Sequence, residues 1–316
     1  MRNFKNEVHV EGYIYESSLE KKVTGEKSKN PGTTYITGTL SIATDKEMTN
    51  IVPIHYSYVT ATTSTGNANA TFTTLEKIID HKLGIAMVDG SDKASIVSID
   101  TSIALNEFYS DRNGKTELVS VKRNEGGFIH VVSNFNEKVE NRNKFKCDII
   151  ATKFRVLEAD EEKGTAEKGI LSGYIFDFRK AILPVDFTVL NPAAIRAFES
   201  LEVSSKNPYY SQISGAQISQ TVKKVTRTES MWGEDMVEET TSSHKDWVIT
   251  GAQKATYEWD TEEEITVEQL KEKLADRETY LASVKQRHDE YAASKPAAKA
   301  TPAPAATSTP DGDFDF

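Results

Sequence analysis

Val8-His9-Val10-Glu11-Gly12-Tyr13-Ile14-Tyr15 alternates a small or apolar set (Val8, Val10, Gly12, Ile14) with a polar or aromatic set (His9, Glu11, Tyr13, Tyr15). A period of two belongs to a β-strand with one buried face. Leu171-Ser172-Gly173-Tyr174-Ile175-Phe176 returns to the pattern with Gly-Tyr-Ile at its centre. Ile51-Val52-Pro53-Ile54-His55-Tyr56 is echoed in the same way by Ile182-Leu183-Pro184-Val185-Asp186-Phe187. A helix-like segment follows each of these, residues 71–83 and residues 192–201. The recurrence predicts two related β-rich units in tandem.

Between these anchors, residues 16–33 form a lysine-rich connection closed by Asn30-Pro31-Gly32, a turn signal. Tyr35 to Ile42 alternates again, with Ile36, Leu40 and Ile42 inward and Tyr35, Thr37, Thr39 and Ser41 outward. Residues 94–110 and 115–123 read as strands joined across Asp111-Arg112-Asn113-Gly114, where Asn-Gly favours a tight hairpin. Glu125-Gly126-Gly127 reads as a further turn into residues 128–133, and residues 144–156 as the strand that closes the first unit. Residues 214–231 and 236–250 flank Trp232-Gly233-Glu234-Asp235 and read as a long two-stranded ribbon.

From residue 266 the period changes. Val267, Leu270, Leu274, Arg277, Leu281, Val284, His288 and Tyr291 recur at spacings of three and four, the stripe of an amphipathic helix. Arg277 and His288 interrupt that stripe, so packing on its own chain and self-association into a homo-oligomer are both open. Residues 294–310 are almost wholly Ala, Pro, Lys, Thr and Ser, too poor in large apolar groups to fold. The expected division is an OB-like unit over 1–158, a second with the ribbon over 159–260, the helix over 261–293, and a flexible linker with an acidic tip over 294–316.

The chain has 316 residues and a formal charge of -10, which at first sight opposes a nucleic-acid partner. Its distribution weakens the objection, because residues 261–316 hold 7 Lys or Arg against 12 Asp or Glu, half of the imbalance. One cysteine, Cys147, excludes an internal disulfide framework and a multi-cysteine zinc site. No run of about eighteen apolar residues occurs, and Met1-Arg2-Asn3-Phe4-Lys5 lacks an apolar signal core, so a cytoplasmic protein without a membrane partner is expected. No phosphate loop, nucleophile elbow or close metal-ligand spacing is present, so neither an enzyme nor a cofactor or metal is expected.

Five or so strands with a helix after the third describe the OB-fold, whose open face receives oligonucleotides. Gly38 to Thr44 followed by Thr49 to Ile54 resembles the second and third strands of single-stranded DNA-binding proteins, over roughly residues 6–59. The C-terminal Asp311-Gly312-Asp313-Phe314-Asp315-Phe316, after its Pro/Ala-rich spacer, is similar to the tails of bacterial and phage members of that family. The resemblance implies a mainly β protein of tandem OB-like barrels that coats single-stranded DNA in replication, recombination or repair. It also implies that Asp311, Asp313, Phe314, Asp315 and Phe316 recruit replication or recombination proteins. Asp315 stands where the bacterial tip carries proline, which favours a phage protein working in the host cytoplasm.

Sequence-independent binding of single strands needs aromatic faces for bases and cations for phosphates. The stacking candidates are Tyr13, Tyr15, Tyr35, His55, Tyr174, Phe176 and Trp232. The phosphate candidates are Lys21, Lys22, Lys27 and Lys29 in the first connection and Lys122 and Arg123 in the hairpin. Lys144, Lys146, Lys153 and Arg155 on the closing strand, and Lys223, Lys224 and Arg227 on the ribbon, complete the set. The rival reading is a virion structural or assembly protein that uses ribbon and helix for subunit contacts.

Overall fold

In the computed structural model of the chain, residues 1–112, 115–159, 166–228, 236–253 and 256–294 are described; of these, the side chains of Arg112 and of residues 220–228 and 236–244 are not. The protein is mainly β, with strands β1 (Asn6–Ser17), β2 (Glu20–Val23), β3 (Thr34–Ala43) and β4 (Ile51–Thr60) before helices α1 (Ala70–Ile79) and α2 (Ala86–Asp89). Strands β5 (Ile96–Arg112), β6 (Lys115–Val132), β7 (Asn143–Leu157), β8 (Lys168–Phe176) and β9 (Ile182–Val189) follow. Helix α3 (Pro192–Ser200), strands β10 (Tyr209–Thr228) and β11 (Met236–Ala252), and helix α4 (Val267–Ser294) complete the order.

The pairings form two rings of five strands. In the first, β1 pairs with β3 and β5, β3 with β4, β4 in parallel with β6, and β6 with β5. In the second, β7 pairs with β8 and β10, β8 with β9, β9 in parallel with β11, and β11 with β10. Each ring has the same order of strands and carries its helix after the third. Asn69 caps α1 by accepting from Thr71 N at 3.1 Å. Asn191 caps α3 by accepting from Ala193 N at 2.8 Å, with Pro192 next in the first turn.

Strand β7 departs from the sequence expectation. It opens the second ring rather than closing the first, and it also pairs with β1 from Asn6↔Cys147 to Val10↔Asn143, which fuses both rings into one eleven-stranded sheet. Leu171–Phe176 is accordingly the second strand of its ring, the counterpart of β3 and not of β1. The shared Gly-Tyr-Ile has a physical origin. A Cβ on Gly12 would lie 2.1 Å from Ala43 O, and one on Gly173 2.3 Å from Ile150 O, so each glycine admits the tight crossing of strands one and two of its ring.

Val8, Val10 and Ile14 are buried as the alternation requires. A buried amide cluster locks the rings together. Asn124 Nδ2 donates to Gln217 Oε1 at 3.0 Å, Gln217 Nε2 donates back to Asn124 Oδ1 at 2.9 Å, and Gln217 N donates to Asn143 Oδ1 at 3.2 Å. Ser219 N meets Asn50 Oδ1 at 2.7 Å, so the base of the β10–β11 ribbon lies on the first ring. The ribbon itself pairs from Ile213↔Ala252 out to Thr228↔Met236.

Helix α4 docks on its own chain. Leu270 and Leu274 pack with Phe176, Ile182 and Tyr210. Arg277, the interruption in the stripe, places Nη1 3.0 Å from Glu107 Oε2, and the Glu107 side chain is only 2% exposed. His288 reaches Asp111 at 3.5 Å. Beside the helix, Phe4, Tyr257 and Trp259 cover the same face of the second ring, pinned where Arg2 Nη1 meets buried Asp148 at 2.7 Å. Among the described residues no helix is long and apolar enough to cross a membrane.

Candidate nucleic-acid interface

The outward face of the first ring carries aromatic and polar groups at strand spacing. On β3 and β4, a register shift between Ile36 and Gly38 sets two residues of β4, Ser57 and Tyr58, opposite one of β3. The bulge turns Tyr58 outward, 49% exposed, and its ring lies 4.7 Å from that of Tyr35. His55 faces the same way, with Nδ1 3.2 Å from Thr39 Oγ1. Burial, then the neighbouring Arg123 charge, lowers its pKa below that of a free imidazole, so its ring is neutral at pH 7. Arg123 pairs with Glu125 at 2.7 Å, and Glu125 also accepts from Ser57.

Gly126 and Gly127 make a second bulge. They lie inside one continuous strand, β6, rather than at the turn that the sequence suggested, and both have positive φ, +64° and +118°. A side chain on Gly127 would strike Asp100 O at 2.4 Å. Beyond the bulge, Phe128 is left 72% exposed. It stands in a row across four strands, Lys144 on β7, His9 on β1, Asp100 on β5 and Phe128 on β6. His9 Nδ1 lies 2.6 Å from Asp100 Oδ1.

This row lies in a cleft of about 1750 Å³ between the rings. The first ring contributes Tyr58, Asp100, Glu125 and Phe128. The second contributes Lys144, Lys146, Phe178 and Arg179. Phe178 is 86% exposed, on the turn between β8 and β9. Asp177 Oδ1 accepts from Arg179 N at 2.8 Å and from Ala181 N at 2.7 Å, and Arg179 lies 5.0 Å from the Phe178 ring centroid. Glu7 and Glu140 also line the cleft, so its charge is mixed. What it offers is exposed aromatic surface flanked by cations, chemistry suited to bases and phosphates.

The sequence-derived candidates divide. Tyr35, His55 and Arg123 come together on the first face, and Lys144 and Lys146 reach the cleft. Tyr13 packs edge-on against Phe135 at 4.6 Å, and Tyr15 is half-buried further along β1. Phe176 is 1% exposed, 4.5 Å from Phe4, and is core because the N-terminal arm and α4 cover it. Tyr174 lines a smaller pocket beside Lys122 and Arg277.

Lys122 is turned away from the first face. Its ammonium lies 4.4 Å from the Phe187 ring centroid and 5.2 Å from that of Trp247, and it donates to Asp186 O. Burial lowers its pKa to about 8, although part of the side chain stays accessible. Lys21 is held by Glu76 at 2.8 Å and Lys22 by Glu20, while Lys27 and Lys29 are exposed in the β2–β3 turn. Lys153 and Arg155 are exposed on β7 beyond the cleft lining. The side chains of Lys223, Lys224 and Arg227, and all of Trp232 and Asp311 to Phe316, lie outside the described residues.

A family model, YorF, matches residues 5–287. The chain belongs to the YorF family. Among solved structures, this YorF-family chain is similar to a deletion mutant of the single-stranded DNA binding protein from Thermus aquaticus. The two share 8% identity over 83% of this chain and 100% of that one, with a TM-score of 0.46. Comparison with curated proteins gave no match.

Sequence reasoning missed Tyr58, Phe128, Phe178 and Arg179. Two signals were available. Phe128 directly follows Gly126-Gly127, where a bulge can reverse which face a strand presents. Phe178 is a large apolar residue inside the charged turn Asp177-Phe178-Arg179-Lys180, where nothing local can bury it.

Proposed function

We propose that this chain binds single-stranded DNA without sequence preference, along the outward face of the first ring. The observation that carries the reading is the Tyr35–Tyr58 pair on the second and third strands, the face that OB-folds present to oligonucleotides, with His55 further along β4 and Arg123 on the neighbouring β6. Bases stack on the two tyrosines and the neutral His55 ring, and Arg123 meets the backbone. Each stack is worth about 1–3 kcal/mol by alanine substitution, enough for a few platforms to outweigh an acidic net charge. The role is binding rather than catalysis, in phage replication or recombination. Asp311 to Phe316 serve as a docking tip for replication or recombination proteins.

The second ring contributes differently. Its corresponding face, β8 and β9, is covered by Phe4, Tyr257, Trp259 and α4, so the first ring carries the primary contact.

Tyr35→Ala and Tyr58→Ala test the assignment by fluorescence anisotropy on labelled oligo-dT. Each is expected to weaken binding by about 5- to 150-fold, the loss of one stack, with an unchanged circular dichroism spectrum. Unchanged affinity in both would overturn the choice of face.

A further inference from the structure

We propose that the bound single strand does not end on the first ring but continues through the inter-ring cleft, where Phe128 and the Phe178–Arg179 turn of the second ring form a second set of contacts. The inference rests on the single-strand reading above and adds a path and a partner surface to it. Three observations carry it.

Phe128 and Phe178 are the two most exposed phenylalanines among the described residues, and they line one cleft from opposite rings. Two such rings left in water are apolar surface that folding does not cover, so a ligand that covers them gains that burial.

The Phe178 turn is built to hold its shape. Asp177 closes it with two hydrogen bonds to backbone N–H groups, Lys180 adopts φ +62°, and Lys180 Nζ donates to Met1 O at 3.1 Å. A ring presented on a rigid turn loses little freedom when a base stacks on it.

Lys144, Lys146 and Arg179 are available to phosphates, Lys144 giving up only a 3.3 Å bond to the neutral Asn141 amide, while one cleft carboxylate, Asp100, is engaged. Among the described residues no carboxylate lies within ion-pair distance of Lys144, Lys146 or Arg179, whereas Asp100 is held by His9. Phosphates therefore meet Lys144, Lys146 and Arg179, and bases meet the two phenyl rings.

The test compares oligo-dT of about 6, 12 and 24 nucleotides, a range spanning the ~4–16 nucleotides of one OB fold. It uses the full chain and its Phe178→Ala and Arg179→Ala variants. In the wild type, affinity climbs from the shortest to the longest strand. In Phe178→Ala the shortest strand binds as before, while the longest loses roughly 5- to 150-fold. If both variants bind every length like the wild type while Tyr58→Ala is impaired, the cleft path is wrong and the first-ring reading stands. If the wild type binds no length, the reading itself fails.

Discussion

The side-chain amides of Asn124 and Gln217 bond each other twice, at 3.0 and 2.9 Å, across the junction of the two rings. Both residues are buried, and Asn143 extends the cluster to β7. A reciprocal amide pair has a single geometry that satisfies all its groups, so it fixes how the rings meet and thereby the width of the cleft.

Gln217→Ala removes one half of that pair and leaves the buried Asn124 Oδ1 without its donor, while Asn124 Nδ2 keeps Pro53 O at 2.9 Å. The expected cost is about 1–3 kcal/mol, read as a lower midpoint in urea denaturation. Binding of long oligo-dT should fall more than binding of short oligo-dT, because only the former depends on the spacing of the rings. A variant as stable as the wild type would mean that water replaces the lost amide.

Lys122→Met tests the reassignment of a residue that composition alone places among the phosphate contacts. Its ammonium faces Phe187 and Trp247, so affinity for single strands should stay within about twofold of the wild type. The pH dependence has a definite sign. Burial lowers the folded pKa to about 8, against roughly 10.4 in an unfolded chain, so the charge opposes folding below pH 8. That opposition fades as pH rises from about 8 to 10.4. Chemical denaturation across this window should show the wild type gaining stability relative to Lys122→Met, and parallel curves would contradict the burial argument.

Asp148 anchors the N-terminal arm to the second ring. Burial raises its pKa, but the Lys5 N–H, the Gln212 amide and the Arg2 guanidinium together hold it below the ordinary carboxylate range. With a depressed folded pKa, its contribution is complete above the unfolded value of about 3.9 and is lost as pH falls through the folded one. Asp148→Asn should cost roughly 2–4 kcal/mol at pH 7 in urea unfolding, and the difference from wild type should shrink in acid. A difference that persists undiminished below the folded pKa would assign Asp148 a role independent of charge.

Much of the architecture is legible in local pattern. Period-two burial of Val8, Val10 and Ile14, the paired Ile51 and Ile182 strands, and a helix after each follow from spacing alone. The assignment of β7 does not, because a strand's partners lie far away in sequence and its alternation is the same whichever ring it joins. The site was harder to read. Tyr35, His55 and Arg123 alternate visibly, but Tyr58 and Phe128 face outward only because bulges shift the register by one residue. Phe176 looks like an outward ring until Phe4 and α4 are brought onto it from the two ends of the chain. Arg277, an apparent flaw in an apolar stripe, is where α4 meets Glu107.

The central claim is tested most directly by anisotropy titration of labelled oligo-dT and of the matching duplex with the full chain, at low and high salt. The account predicts a strong preference for the single strand, with affinity that falls with salt through its phosphate contacts but persists through stacking. No binding of the single strand, or equal binding of the duplex, would contradict it.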